Sequence, residues 1–204
     1  MMKRPARIKI VWVTIALLLG GSLVLSASAQ MAGAMGNPAA ANIIKIRKMT
    51  PVKERTPLYK TSVAGQAAGR APEWWRVVVE FETSPDWIDE LEFTYYAYLE
   101  DQSNKGLPVM YRGTVTYMNV AKGRHMSDMF LHPSTVVRRG LVKQIAVVVK
   151  VKGAVVAMES SAQQPNWWDR FPPVDGVLMS RDQTPFAVID YDAYEYIRSA
   201  APSR

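Results

Sequence analysis

The stretch Leu91-Glu92-Phe93-Thr94-Tyr95-Tyr96-Ala97-Tyr98-Leu99-Glu100 alternates without a break. Leu91, Phe93, Tyr95, Ala97 and Leu99 share one face, and Glu92, Thr94, Tyr96, Tyr98 and Glu100 share the other, which is the period of a strand with one face in a core. Upstream, Trp75, Val77, Val79 and Phe81 oppose Arg76, Glu80 and Glu82 in the same way. Between the two, Ser84-Pro85-Asp86 predicts a turn, with Ser84 capping a short helical turn that Trp87 and Ile88 pin to the core. Downstream, Asn104-Lys105-Gly106 predicts a hairpin loop into a third strand, Val109 to Tyr117, with Gly113 as a bulge or close-approach position and Lys122-Gly123 as its end. Met126 to Leu131 is a weaker strand candidate.

Working outward, Leu141–Lys152 and Ala154–Met158 read as a hairpin about Lys152-Gly153. Ile43 to Lys48 reads as a strand, and Thr50 to Pro72 as a long connection with a short edge strand at Leu58-Tyr59. Gln163 to Pro173 predicts an irregular crossover, Val177–Met179 and Phe186–Asp190 two short strands, and Tyr191–Ile197 a terminal helical turn. Long helix-period segments are missing after residue 30, so parallel βαβ units have no crossovers to build with. The expected fold is all-β, an immunoglobulin-like antiparallel two-sheet sandwich with little helix, over residues 43–198.

The N-terminal residues predict export. Lys3, Arg4, Arg7 and Lys9 precede an uncharged apolar run from Ile10 to Leu25, and Ala27-Ser28-Ala29 is a small-x-small cleavage site. The run is shorter than the ~20 residues a spanning helix needs, so no stable transmembrane segment is expected after cleavage. Residues 1–29 form a signal peptide in this reading, 30–42 (Gly/Ala-rich) a flexible tether, and 199–204 a tail. The leader carries four of the 25 basic residues and none of the 18 acidic ones, so without it the formal charge falls from +7 to +3. The remaining Lys and Arg are scattered among Asp and Glu, which argues against a nucleic-acid partner. With no cysteine, disulfides, thiolate chemistry and lipid anchoring through a lipobox are excluded.

Catalytic signatures are weak. His125 and His132 are seven apart with no patterned carboxylate, and no Gly-x-Ser-x-Gly elbow occurs. Asp86, Asp89, Glu90 and Glu92 form the densest acidic cluster, which suits calcium or a glycosidase pair but equally the first turn of a capped helix. No catalytic residue, cofactor or metal is assigned. The pairs Trp74-Trp75 and Trp167-Trp168 are candidate contact residues, because strand alternation would turn one ring of each pair inward and the other outward. An outward indole offers a stacking surface for a glycan or an anchor for a protein, and core packing is the competing role. Tyr96 and Tyr98 on the outer face of their strand are candidates of the same kind, with cross-strand packing as the alternative.

The leader without a lipobox, the run from Trp74-Trp75-Arg76-Val77 through Pro85-Asp86-Trp87-Ile88-Asp89-Glu90-Leu91-Glu92-Phe93-Thr94-Tyr95-Tyr96, and the segment Pro173-Val174-Asp175-Gly176-Val177-Leu178 to Thr184-Pro185-Phe186-Ala187 together resemble a small family of exported proteins from mucus-dwelling Verrucomicrobia. Those are encoded near type IV pilus genes. The resemblance implies an immunoglobulin-like sandwich related in fold to archaeal pilus subunits, and a protein partner, with type IV pilus machinery as the candidate, in the periplasm or at the cell surface. It implies no catalytic residues. The chain departs from a type IV pilin, since its cleavage site follows the apolar run and no Glu begins that run. The function expected is therefore non-enzymatic, through protein contacts, with a carbohydrate-binding module on the paired tryptophans and a periplasmic hydrolase on a histidine as alternatives.

Overall fold

The computed structural model describes residues 43–57 and 71–198. The predicted leader (1–29), tether (30–42), Leu58-Tyr59 strand and tail (199–204) lie outside the described residues. The elements in chain order are β1 (Ile44–Arg55), β2 (Glu73–Asp101), β3 (Leu107–Leu131), α1 (Pro133–Arg139), β4 (Val142–Val151), β5 (Ala154–Ser160), β6 (Pro173–Asp175), β7 (Leu178–Ser180) and β8 (Tyr196–Ile197).

Two long strands organise everything else. β2 has 29 residues and β3 has 25, and they pair antiparallel from Asp101↔Leu107 to Trp75↔Leu131. The ladder is interrupted between Thr83 and Trp87, and there the ribbon folds back on itself. In a straight strand Phe81 and Phe93 would be ~40 Å apart at ~3.3 Å per residue; their ring centroids are 4.9 Å apart. The fold is confirmed within β3, where the Tyr117 hydroxyl donates to Ser127 Oγ at 3.0 Å, and across to β2, where the Tyr95 hydroxyl donates to the same oxygen at 2.6 Å. One layer holds β1, the first part of β2, the last part of β3 and β7; the other holds the remaining parts of β2 and β3 with β4, β5, β6 and β8.

The fold is thus all-β and sandwich-like, as the alternation predicts. The main core lies between the layers, from Val77, Val79 and Phe81 on one side to Leu91, Phe93, Tyr95, Val147 and Val149 on the other. β6 is the exception to antiparallel pairing, running parallel to β3. Gly113 is a close-approach position: a Cβ there would stand 2.7 Å from Leu178 Cβ. The β4–β5 turn places Lys152 and Gly153 at φ 50° and 79°, the double positive-φ geometry of a tight hairpin.

Several local expectations are corrected. Ser84-Pro85-Asp86 does not end the strand or start a helical turn; it is the bend within β2, where a proline is tolerated because the β2–β3 ladder bonds are already missing. Trp87 consequently points to solvent, 66% exposed, while Ile88 is buried. Lys122-Gly123 likewise does not end β3, and Met126–Leu131 is its continuation. β1 runs on to Arg55, into the segment read as connection. Phe186–Asp190 is a pair of tight turns, closed by Ala187 N–H to Thr184 O and Ile189 N–H to Phe186 O, rather than a strand. The Tyr191–Ile197 segment gives one 3₁₀ turn, Tyr191–Ala193, and then the two-residue β8. Helix α1 was not expected; Pro133 at its first turn and the His132 side chain, which accepts from Ser134 N–H, start it.

Candidate contact surface

Trp74 and Trp75 do point to opposite sides of β2, but neither ring is outward in the sense of free. Trp75 enters the main core. Trp74 is buried in a second cluster with Phe130 and Phe186, meeting both rings edge-on at 6.3 and 5.9 Å, and its indole N–H donates to Thr56 Oγ1 at 3.0 Å. Trp167 and Trp168 do not alternate, because they sit in the 3₁₀ turn Trp167–Arg170 and pack into the same third cluster with Met110, Ala146 and Val148. Trp168 stacks on Tyr96 at 5.7 Å, and Trp167 meets Tyr98 edge-on at 6.3 Å. The crossover segment therefore roofs the outer face of β2. All four indoles are buried, which leaves no exposed ring of either pair for a sugar to stack on; Tyr96 and Tyr98 are partly buried beneath that roof.

The histidines are each committed to structure. His125 Nδ1 lies 2.7 Å from Glu195 Oε1, and its Nε2 lies 2.8 Å from the Ala121 carbonyl. His132 starts α1 and its ring lies edge-on to Trp74 at 4.8 Å. The acidic cluster is spread along an extended strand. Glu90 forms a two-bond fork with Arg198 at 2.7 and 2.8 Å, and Glu92 takes Lys150 Nζ at 3.0 Å. Among the described residues no group of three or more His, Asp or Glu side chains could hold a metal ion.

A charged assembly that the sequence does not announce lies on the Trp74 side of β2. Asp128, fully buried, accepts from Arg181 Nη1 at 2.7 Å and from Arg76 Nε at 3.1 Å, with Arg76 Nη2 at 2.9 Å. Arg76 also donates to the Tyr194 hydroxyl and to Glu54 at 3.1 Å. Arg181 lies over the Tyr194 ring at 3.8 Å and donates to the Ile189 carbonyl at 2.5 Å. These bonds tie the segment from Arg181 to Tyr194 onto β2 and β3. Burial holds the Asp128 carboxyl above its ordinary value against the pull of Arg181 and Arg76. Burial lowers the Arg76 guanidinium, but Asp128, Tyr194 and Glu54 outweigh it and leave it raised.

Burial also raises Tyr95 and Tyr117, which share Ser127 in the main core. A group whose pKa is raised by folding holds its proton longer in the native state, so its contribution to stability is present below its unfolded value and is lost as pH rises. Stability should therefore fall as pH climbs above ~10, the unfolded tyrosine value. The check is tyrosinate absorbance followed with near-ultraviolet dichroism: the core tyrosines should ionise together with loss of native packing. Ionisation of Tyr95 and Tyr117 in a protein that keeps its dichroism would contradict this.

Next to the charged assembly the C-terminal segment forms a cavity of about 510 Å³, lined by Arg181, Asp182, Val188, Tyr191, Asp192, Tyr194, Glu195 and Tyr196 among others. Val188, Tyr191 and Tyr196 on its walls are 68%, 70% and 63% exposed.

An all-β, sandwich-like fold defines the class. Among curated proteins none matches the chain. A protein-family model matches residues 36–201, most of the sequence, and the chain belongs to that family. The crystal structure of a protein from Akkermansia muciniphila is similar to it at 25% identity and a TM-score of 0.70, covering 78% of this chain and 94% of that one. The resemblance to verrucomicrobial proteins read from the sequence is thereby supported. No helix among the described residues is long and apolar enough to cross a membrane.

Proposed function

We propose that this is an exported, non-enzymatic domain of the periplasm or cell surface that works through protein contacts, associated with pilus machinery or serving as a surface-assembly subunit. The observation that carries the reading is the family match over residues 36–201, with likeness to nearly the whole of a verrucomicrobial protein. His125 Nε2 is occupied by the Ala121 carbonyl and His132 caps α1, which supports it against a histidine-based hydrolase.

Strand addition is the mode of contact favoured by the sheet edges. β5 pairs only with β4 among the described residues, and Ala154-Val155-Val156-Ala157-Met158 carries no charge that would repel an incoming strand. The Gly/Ala-rich segment 30–42, just before β1, is the tether or donor in this scheme. The test is deletion of the gene combined with affinity recovery from envelope extracts. Loss of surface piliation or recovery of a pilus or surface-layer component is expected. Unchanged piliation and surface fractions together with no such component would sink the reading.

A further inference from the structure

The cavity of the C-terminal segment combines two features. Exposed Tyr191 and Tyr196 are among its lining residues, and so are three carboxylates: Asp182, which accepts from the Ser180 hydroxyl, Glu195, which lies 2.7 Å from His125 Nδ1, and Asp192. Arg181 is the lining cation, and its charge is already matched from behind by Asp128 at 2.7 Å. An anionic ligand would face the carboxylates without a free counter-charge. A neutral apolar ligand would have to desolvate them. A cation gains from both features, since tyrosine faces attract it through their quadrupole and carboxylates through charge and hydrogen bonds. The molecule already makes this contact internally, with the Arg181 guanidinium 3.8 Å from the Tyr194 ring. The volume lies within the ~300–1,000 Å³ typical of built pockets and holds an arginine or lysine side chain with its flanking backbone.

We infer that this cavity is a docking site for a basic side chain, arginine or lysine, on a peptide segment of a partner protein. The inference rests on the protein-contact reading and gives that contact a location and a chemistry. It places the anchor on the Tyr191–Tyr196 segment, separate from the β5 edge that is unpaired among the described residues.

The test uses the full chain and three blocked tripeptides, Gly-Arg-Gly, Gly-Lys-Gly and Gly-citrulline-Gly, titrated by NMR up to about 10 mM, a range that captures millimolar affinities. Arginine and lysine peptides should shift the Tyr191 and Tyr196 ring signals saturably, and the citrulline peptide should not. Tyr191→Ala and Asp192→Asn, both at exposed positions, should each weaken binding about three- to ten-fold, the scale of one cation–π or exposed ionic contact. Trp87→Ala, an exposed ring on the β2 bend, should change nothing. Raising ionic strength should weaken binding further. Equal binding of citrulline, no saturable shift, indifference to both variants, or preference for a neutral sugar such as N-acetyllactosamine would overturn the assignment. Saturable arginine binding in a protein that recovers no envelope partner would overturn the assembly reading while leaving the site in place.

Discussion

Asp128→Ala should cost about 3–5 kcal/mol of folding stability, the usual result of removing one member of a buried ion cluster. The carboxylate has Arg181 at 2.7 Å and Arg76 at 2.9 Å. Taking it away leaves one guanidinium almost wholly buried and another largely so, with Glu54 and Tyr194 the remaining partners of Arg76. Solvent cannot compensate at that depth, so most of the cost comes from the charges left behind rather than from the lost attraction. Denaturant unfolding should show a lower midpoint with little change in slope. Hydrogen exchange should locate the damage in residues 181–197, which Arg181 fastens to the sandwich. Replacing Asp128, Arg76 and Arg181 together by apolar residues should recover much of the loss, because no unmatched buried charge then remains and the half-exposed Glu54 stays hydrated. A single alanine variant within about 0.5 kcal/mol of the parent, the ordinary range for a surface change, would show that the cluster is hydrated and the account wrong.

Phe93→Ala should cost about 3–5 kcal/mol for a different reason, a cavity at the centre of the core. Phe93 is fully buried against Phe81 at 4.9 Å and Tyr117 at 5.7 Å, and so touches both layers. The neighbours cannot collapse into the space without moving the β2–β3 ribbon that carries them. Fluorescence and far-ultraviolet dichroism should report one shared, lowered transition. Two separated transitions would mean that one layer survives without the other.

The strands were legible because their period is local: Leu91–Leu99 and Ile145–Val151 announce a face within ten residues. What joins them was not. Ser84-Pro85-Asp86 carries every signal of a stop, and only the pairing of its flanks with β3 turns that stop into a bend. The two tryptophan pairs show the same boundary. Alternation places Trp74 and Trp75 on opposite faces, yet whether the outer face is wet depends on Phe130 and Phe186, far along the chain. Arg76 reads as a solvated charge on the outer face of a strand; its partners Asp128 and Tyr194 lie 52 and 118 residues away, on a strand end and a turn with no pattern of their own. Tyr191 and Tyr196 were masked by an expected helical turn, and their spacing of five alone gives no sign of a shared wall.

The shared ribbon has a consequence for the order of events in time. Because β2 and β3 cross both layers, one layer can zip up from the local Asp101–Leu107 hairpin, whereas the other must wait for pairings as distant as Trp75 with Leu131. Closure of loops that long is slow, and strand-dominated domains of this kind fold in milliseconds to seconds. Once those pairings are found the two layers close on the shared core, and the sandwich locks as one unit.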